Sequence, residues 1–339
     1  VMKRPVSAVV LSMVIVGIMA APITNIKFSQ GDSRMLPADN KAAFATALQA
    51  ERFPGQTGTP IEIIIQDGAN KLEEINTYTA KLEQVSGIVA VLPPQTIGPD
   101  VRIVAYQEML PRTPESQELI HNVRTVDSPD GTLVGGVAAD YTDTQQGIAD
   151  ALPWALLWIS VSVLLLLFIF TGSILLPIKA VLLNILSLAA TLGVVTWIFI
   201  DGNLANLLGG FTVTGTLDTG SVILIAVTTF GLSMDYEVFL LSRIKEEYEA
   251  GKSNSDAVAI GLQKSARIIT AAAFVLAVVF GAFILGGVTS IKMLGFGVAF
   301  AILIDATIVR GLLVPALMRL FGAANWWAPK GLKRFTISN

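Results

Sequence analysis

The chain has 339 residues, of which 53% are hydrophobic and only 14% are charged. Soluble domains are about a quarter charged, so this composition argues against a purely soluble protein. A formal net charge of −3 argues against a nucleic-acid-binding protein. With no cysteine and a single histidine, His121, the sequence excludes Cys-based zinc sites, disulfide frameworks and nearly all His-dependent catalysis. We expect no cofactor and no metal site.

Charge-free stretches of about the length that a bilayer requires recur along the chain. The longest of them run over residues 5–26, 151–178, 180–200 and 268–291. Two more apolar stretches, beginning near residues 219 and 292, are interrupted only by a few charges. The pattern predicts six transmembrane helices, at about 6–24, 153–172, 177–200, 219–242, 267–287 and 292–318.

The first apolar stretch has a second interpretation, as a secretory signal peptide. Lys3 and Arg4 precede it, and small residues follow it at Ala20 and Ala21. An uncharged run of this length is long for a signal peptide, and five further spans follow. We therefore expect the first helix to be retained in the membrane.

Lysine and arginine fall almost entirely on one side of the predicted spans, which predicts that this side is cytoplasmic. The opposite short loops contribute only Lys292. Both termini are then cytoplasmic, and residues 25–150 lie outside the cell membrane, which we expect to be a bacterial inner membrane. The basic residues on the predicted cytoplasmic side are Lys3, Arg4, Lys179, Arg243, Lys245, Lys252, Lys264, Arg267, Arg310, Arg319, Lys330, Lys333 and Arg334.

Residues 25–150 have the composition of a soluble α+β domain between the first and second spans. Alternating and β-branched runs predict strands at 60–66, 88–92, 101–107 and 132–138. Helical patterns at 69–85 and 114–124 separate them in the order β-α-β-β-α-β, which is the ferredoxin-like split βαβ unit. The predicted domains are thus a first helix (1–24), this α+β domain (25–150), a five-helix bundle (151–321) and a cytoplasmic tail (322–339).

Four ionisable residues fall inside predicted spans, where a charge is costly and usually functional. Asp235 and Glu237 lie in the fourth span, and Asp305 and Arg310 lie in the sixth. At about 1.5 Å per residue, Asp235 and Asp305 lie at about the same depth, which makes them candidates for a proton relay. Glu237 and Arg310 lie nearer the cytoplasmic interface and are weaker candidates. A static polar contact between helices is the alternative.

Polar residues recur every seven positions along the fourth span, at Ser221, Thr228, Asp235 and Ser242. This periodicity predicts that they share one face of the helix, directed into the bundle, because lipid cannot satisfy such groups. Tyr236 points to a different side and offers a hydroxyl to a neighbouring carboxyl. Arg310 would be about 140° around the helix from Asp305, free to reach the interface or an adjacent carboxylate.

The sequence around these charges resembles the MMPL family of the resistance-nodulation-division (RND) superfamily of proton-driven exporters. The resemblance rests on GLSMDYEVFL at 231–240, on LIDATIVR at 303–310 and on LVPAL at 313–317. The order of one helix, a porter-like α+β domain and five helices is similar to one repeat of that family, most like its carboxy-terminal half.

The resemblance implies roles for individual residues. Asp235 and Tyr236 match the intramembrane Asp-Tyr pair of the proton relay, and Asp305 and Arg310 match polar residues of the last helix. Thr228, Ser242 and Glu237 would support them on the polar face. The implied function is the export of lipids or other hydrophobic molecules, driven by the proton-motive force.

Family members carry two such repeats, whereas this chain carries one. We therefore expect it to act as half of a two-repeat transporter, with the other half or a second copy as its partner. A hydrophobic substrate and protons are the other expected partners, and no enzyme activity is expected. Two alternatives stay open: a protein-translocation subunit of the SecD/SecF type, and an intramembrane aspartyl protease using Asp235 and Asp305, although the Gly-x-Gly-Asp motif of such proteases is absent.

Overall fold

The computed structural model describes residues 3–37, 39–53 and 59–329. Residues 330–339, which include three of the basic residues and most of the predicted tail, lie outside this description. The chain folds into two compact units, one formed by Lys27–Pro153 and the other by Val1–Ile26 together with Trp154–Asn339.

One unit is formed by a single continuous stretch of chain, and the other by the stretches before and after it. In chain order the helices are α1 (Pro5–Ala20), α2 (Lys41–Arg52), α3 (Leu72–Leu82), α4 (Pro114–Thr125), α5 (Val137–Thr171), α6 (Leu175–Phe199), α7 (Thr219–Glu249), α8 (Asn254–Gly281), α9 (Thr289–Ile304) and α10 (Val314–Phe321). The strands are β1 (Phe28–Ser29), β2 (Ile61–Ile65), β3 (Ile88–Val91), β4 (Gln95–Ile97), β5 (Asp100–Gln107), β6 (Thr132–Gly135) and β7 (Leu217–Asp218).

The α+β unit is built on an antiparallel sheet with strand order β3-β5-β2-β6, and β4 pairs with β5. This is the strand order of a split βαβ unit with one short strand added. Strand β2 alternates buried and half-buried residues, so Ile61, Ile63 and Ile65 all point to one face. Helices α3 and α4 cover that face, and their buried side chains complete its core.

The opposite face of the same sheet carries an ion pair between neighbouring strands. Arg102 on β5 donates from Nε and Nη2 to the two carboxylate oxygens of Glu62 on β2, at 2.8 Å each. This bidentate contact lowers the pKa of Glu62 below its usual value. On the core face, burial raises the pKa of Tyr78 to about 12.

Besides the added strand β4, the α+β unit differs from the sequence prediction at two main places. An additional helix, α2, spans Lys41–Arg52 and is capped by Asn40, whose Oδ1 accepts the N–H of Ala42 at 2.9 Å. The last strand ends at Gly135 instead of continuing to residue 138. Gly136 follows with φ +96°, and a Cβ there would lie 2.6 Å from the Pro60 carbonyl oxygen, so glycine permits this turn into α5.

The other unit is a helical bundle. Among the described residues, six helical segments are long and apolar enough to cross a membrane. They agree in number and order with the six predicted spans. Helix α7 packs against α8 and α9, and α1 packs against α6. The approach of α1 to α6 is close because Gly193 has no Cβ, which would otherwise collide with the carbonyl oxygen of Met19.

Several span boundaries differ from the prediction because helices continue beyond the apolar stretch. The fourth span runs to Glu249 and the fifth begins at Asn254, so only four residues separate α7 from α8. Ser253 caps α8 by accepting the N–H of Asp256 at 3.2 Å. Hydropathy reports the length inside lipid, whereas the helix itself continues into the aqueous boundary through charged residues.

Candidate functional site

A buried polar cluster joins α7 to the last span. On α7, Ser233 and Glu237 are one turn apart on the face that packs into the bundle, and both are buried. On the last span, Asp305 and Arg310 are 3% and 2% exposed. The bundle therefore brings two carboxylates, one guanidinium and one hydroxyl together in its buried interior, where charges are rare and usually functional.

The last span reaches this geometry through a π-helical segment. Residues Asp305–Leu313 have π-helical hydrogen bonding, continued by the N–H of Val314, which donates to the carbonyl of Val309. In an α-helix, residues five apart are about 140° around the axis, whereas an i→i+5 pattern stacks them on one face. Pro315 has no N–H, so an α-helical bond to the carbonyl of residue 311 is unavailable. The π-helical turn brings Arg310 above Asp305.

Arg310 forms the centre of the cluster. Its Nη2 lies 2.8 Å from Asp305 Oδ2 and donates to Ser233 Oγ at 2.9 Å, as well as to the Ser233 carbonyl. Ser233 Oγ in turn donates to Asp305 Oδ1 at 3.0 Å. The three groups close a ring of hydrogen bonds, which is the condition for burying a charge pair at tolerable cost.

Glu237 is the second carboxylate of the cluster. Its Oε2 lies 3.9 Å from Nε of Arg310, which is too long for a hydrogen bond but close enough for charge attraction. Within the part of the chain that the structure describes, Nε and Nη1 of Arg310 have no hydrogen-bond partner. These two N–H groups of a buried cation can donate to a water molecule or to a carboxylate that shifts toward them.

Tyr236 contacts the same guanidinium from the side. The centroid of its ring lies 5.1 Å from Cζ of Arg310, within the range of a cation–π interaction. Its side chain is half-buried. Tyr236 thus lies between the buried cluster and the surface of the bundle.

Asp235 lies on the exposed side of α7, away from the cluster. It is two positions from Ser233, which is about 200° around an α-helix, so the two side chains point in opposite directions. One turn earlier, Gly231 has open space where a Cβ would lie. Asp235, the acid that matches the relay residue of the resembled family, therefore points out of this bundle. The open space at Gly231 leaves room on that face for another helix to approach closely.

Within this single chain, the predicted polar stripe is not the buried face of α7. Of its members only Ser221 is buried, and its N–H and hydroxyl both donate to the carboxylate of Asp218, which caps α7. Thr228 and Ser242 are half-buried, and Ser242 donates to the carbonyl of Phe239 on its own helix. The face that is buried instead repeats every fourth residue, through Ile225, Thr229, Ser233 and Glu237.

Two further expectations are revised. Glu237 and Arg310, the weaker candidates by their position near the interface, are among the most buried charges of the bundle. Arg310 pairs with Asp305 on its own helix and faces Glu237 on α7, instead of extending to the interface. The predicted site lacks Ser233, although its spacing of four from Glu237 is a signal that the sequence contains. Among the described residues, no group of three His, Asp or Glu is placed to hold a metal ion.

The sequence profile of the MMPL family matches residues 34–336. The chain belongs to the MMPL family. It is 37% identical over 341 residues to a putative membrane protein of Streptomyces coelicolor, covering 98% of this chain and 46% of that protein. It is 34% identical over 352 residues to the trehalose monomycolate exporter MmpL3 of Mycobacterium tuberculosis, covering 98% of this chain and 37% of the exporter.

A third relative is the heme uptake protein MmpL11 of Mycobacterium tuberculosis, 33% identical over 346 residues that cover 98% of this chain and 35% of MmpL11. This MMPL chain thus spans less than half the length of the curated relatives it matches. Together with the six apolar helices, the family places it among multi-pass membrane proteins. MmpL3 and MmpL11 are transporters, which points away from an enzyme.

Proposed function

We propose that this chain is one repeat of a proton-driven transporter that exports lipids or other hydrophobic molecules. The observation that carries the proposal is the pair of polar faces on α7. One face holds Glu237 and Ser233 against Arg310 inside the bundle, and the other presents Asp235 outward from an apolar helix.

The exposed Asp235 face is the argument for a second repeat. A carboxyl in lipid costs several kcal/mol, so a spanning helix carries one outward only where a partner or water covers it. Gly231 leaves space for another helix to approach closely one turn away. We assign this face to the contact with the other half of the transporter or with a second copy, where Asp235 and Tyr236 would meet their counterparts.

The buried cluster supplies the coupling. A proton that reaches Asp305 or Glu237 removes a negative charge from beside Arg310, which weakens the attraction that holds α7 to the last span. Moving one charge across the membrane is worth roughly 2.3 kcal/mol per 100 mV, enough to bias two helix arrangements. In this proposal Tyr236, which touches the guanidinium with its ring, links the buried cluster to Asp235.

The membrane orientation is part of the proposal. We place the ends of α7 and α8 that carry Arg243, Lys245, Lys252 and Lys264 in the cytoplasm, because basic residues in short connections remain inside. The α+β unit of residues 27–153 is then extracytoplasmic and takes the role of the porter domain. A hydrophobic substrate fits the names of the relatives, one an exporter of trehalose monomycolate and one an uptake protein for heme.

An intramembrane aspartyl dyad is not supported by the arrangement of the two acids. Asp305 bonds to Ser233, whereas Asp235 points to the opposite side of α7. The two carboxyls of one chain therefore do not face each other across a shared site, as a dyad requires.

Efflux from proteoliposomes tests the proposal. The chain is reconstituted together with a second repeat, either the other half or a second copy, in vesicles that carry a fluorescent lipid, and efflux is followed with and without an imposed pH gradient. We expect the gradient to accelerate efflux at least fivefold and a protonophore to abolish the acceleration. Asp201→Asn, which changes an exposed carboxyl outside the helices, is the matched control and retains the rate. Gradient-independent efflux in the presence of both repeats would contradict proton coupling.

A further inference from the structure

Beyond the cluster, a second cation lies near Glu237. Lys179 on α6 lines the same small, partly open cavity as Glu237, and the cavity has a volume of about 10 Å³. That is close to the space one water molecule needs. The other residues of the lining are all apolar, namely Leu176, Leu183, Leu241, Val314, Leu317 and Met318.

The Lys179 ammonium has a fixed polar neighbour on its other side. It donates to Oδ1 of Asn325, a residue that is fully buried. The Asn325 amide cannot turn freely, because its Nδ2 donates to the carbonyls of Met318 at 2.6 Å and Gly322 at 2.7 Å. Its oxygen therefore has to point toward Lys179. Among the described residues, no carboxylate forms a salt bridge with Lys179.

Two cations thus lie near Glu237, and each is held by different hydrogen-bond partners. Arg310 is bound to Asp305 and Ser233 in the middle of the bundle, and Lys179 is bound to Asn325 just beyond the end of α10. The charged groups that face Glu237 from the packed elements are Arg310, with Asp305 beside it, and Lys179. Two negative and two positive charges balance, so one added proton leaves the group with a net positive charge.

We propose that Glu237, Lys179 and the cavity that both line form the pathway through which the buried cluster exchanges protons with water. The pathway opens at the end of the bundle that carries the basic residues. This inference rests on the proposed proton coupling. A proton taken up by the Glu237 carboxylate neutralises it and releases its attraction for Lys179. The same proton then leaves to water on the Asn325 side, and the carboxylate regains its charge. Lys179, anchored by Asn325, acts as the gate.

Because the chain has no cysteine, single cysteines can report water access without a background. Leu183→Cys on α6 and Leu241→Cys on α7 place the thiol in the cavity lining. Ala190→Cys is the control, since it is equally buried but about two turns farther along α6 and away from the cavity. A small water-soluble methanethiosulfonate is applied to vesicles of each orientation that hold the whole 339-residue chain in the membrane.

We expect both lining cysteines to react at least tenfold faster than Ala190→Cys, and only from the side carrying the basic residues. Adding Asn325→Ala removes the acceptor that anchors Lys179 and raises the reaction rate of the lining cysteines severalfold further. Lining cysteines that react no faster than Ala190→Cys would overturn the proposal. Because the reaction of the cysteines reports water access and not transport, this result would not contradict the proposed proton-coupled efflux.

Proton flux into proteoliposomes provides the second readout. We expect Lys179→Met to slow gradient-driven flux at least fivefold and to shift its pH profile, whereas Lys179→Arg keeps most of the flux. If Lys179 were purely structural, replacing it would leave the pH profile of the flux unchanged. An unchanged profile in Lys179→Met, with folding intact, would therefore contradict the role of Lys179.

Discussion

The same chemistry, a guanidinium beside a carboxylate, occurs in both units with different consequences. In the sheet of the α+β unit, Arg102 binds Glu62 with two parallel hydrogen bonds on a face that water can reach. In the bundle, Arg310 binds Asp305 where neither side chain is more than 5% exposed. When one partner is removed, water can solvate the remaining charge of the first pair but not that of the second. The contribution of each pair to the free energy of unfolding therefore depends on its exposure to solvent.

The largest effect should follow from removing the buried guanidinium. Arg310→Met leaves the carboxylates of Asp305 and Glu237 without their cation, which costs about 3–5 kcal/mol when a buried pair is broken. We expect a large drop in the thermal midpoint of the detergent-solubilised chain, or loss of folded protein. Arg310→Lys keeps the charge and should recover part of the loss. A midpoint within about 2 °C of the parent in Arg310→Met would contradict the assignment, since a loss of about 3–5 kcal/mol lowers the midpoint of a chain of this length by about 4–7 °C.

A smaller effect should follow from removing the hydroxyl that joins the pair. Ser233→Ala deletes one hydrogen bond to Asp305 and one from Arg310, and should cost about 1–3 kcal/mol because both partners stay buried. Ser242→Ala on the same helix is the matched control, because that hydroxyl donates to a carbonyl of its own helix. We expect the control to stay within about 0.5 kcal/mol of the parent. Equal shifts in the two variants would show that the buried ring contributes nothing.

The smallest effect belongs to the solvent-accessible pair and depends on pH. Arg102 lowers the pKa of Glu62, so the pair stabilises the fold fully above the unfolded pKa of a glutamate and loses that contribution as pH falls through the lowered value. At neutral pH, Glu62→Gln should shift the thermal midpoint only slightly. Between about pH 5 and pH 3 the parent should lose more stability than Glu62→Gln. Parallel pH profiles for both proteins would show that the ion pair is energetically silent.

The sequence predicts the six spans well because one physical requirement, about 20 apolar residues per crossing, governs them. It fails on the faces of α7, since polar residues occur on two opposite sides of that helix and hydropathy does not say which side is covered. Asp235 and Glu237 are two positions apart in the sequence but about 200° apart around the helix. The π-helical turn at Asp305 and the additional helix α2 depend on contacts and local hydrogen bonding that no periodicity reports.

The central claim is that the two faces of α7 contribute differently: the buried cluster both holds the fold and responds to the proton, whereas the exposed Asp235 is needed for proton coupling and not for folding. Asp235→Asn tests it most directly, with thermal unfolding and gradient-driven efflux measured on the same preparation, and Asp201→Asn as control. We predict an unchanged midpoint and loss of the gradient-dependent efflux. A variant that transports at the parent rate, or one that loses efflux only because it no longer folds, would contradict the account.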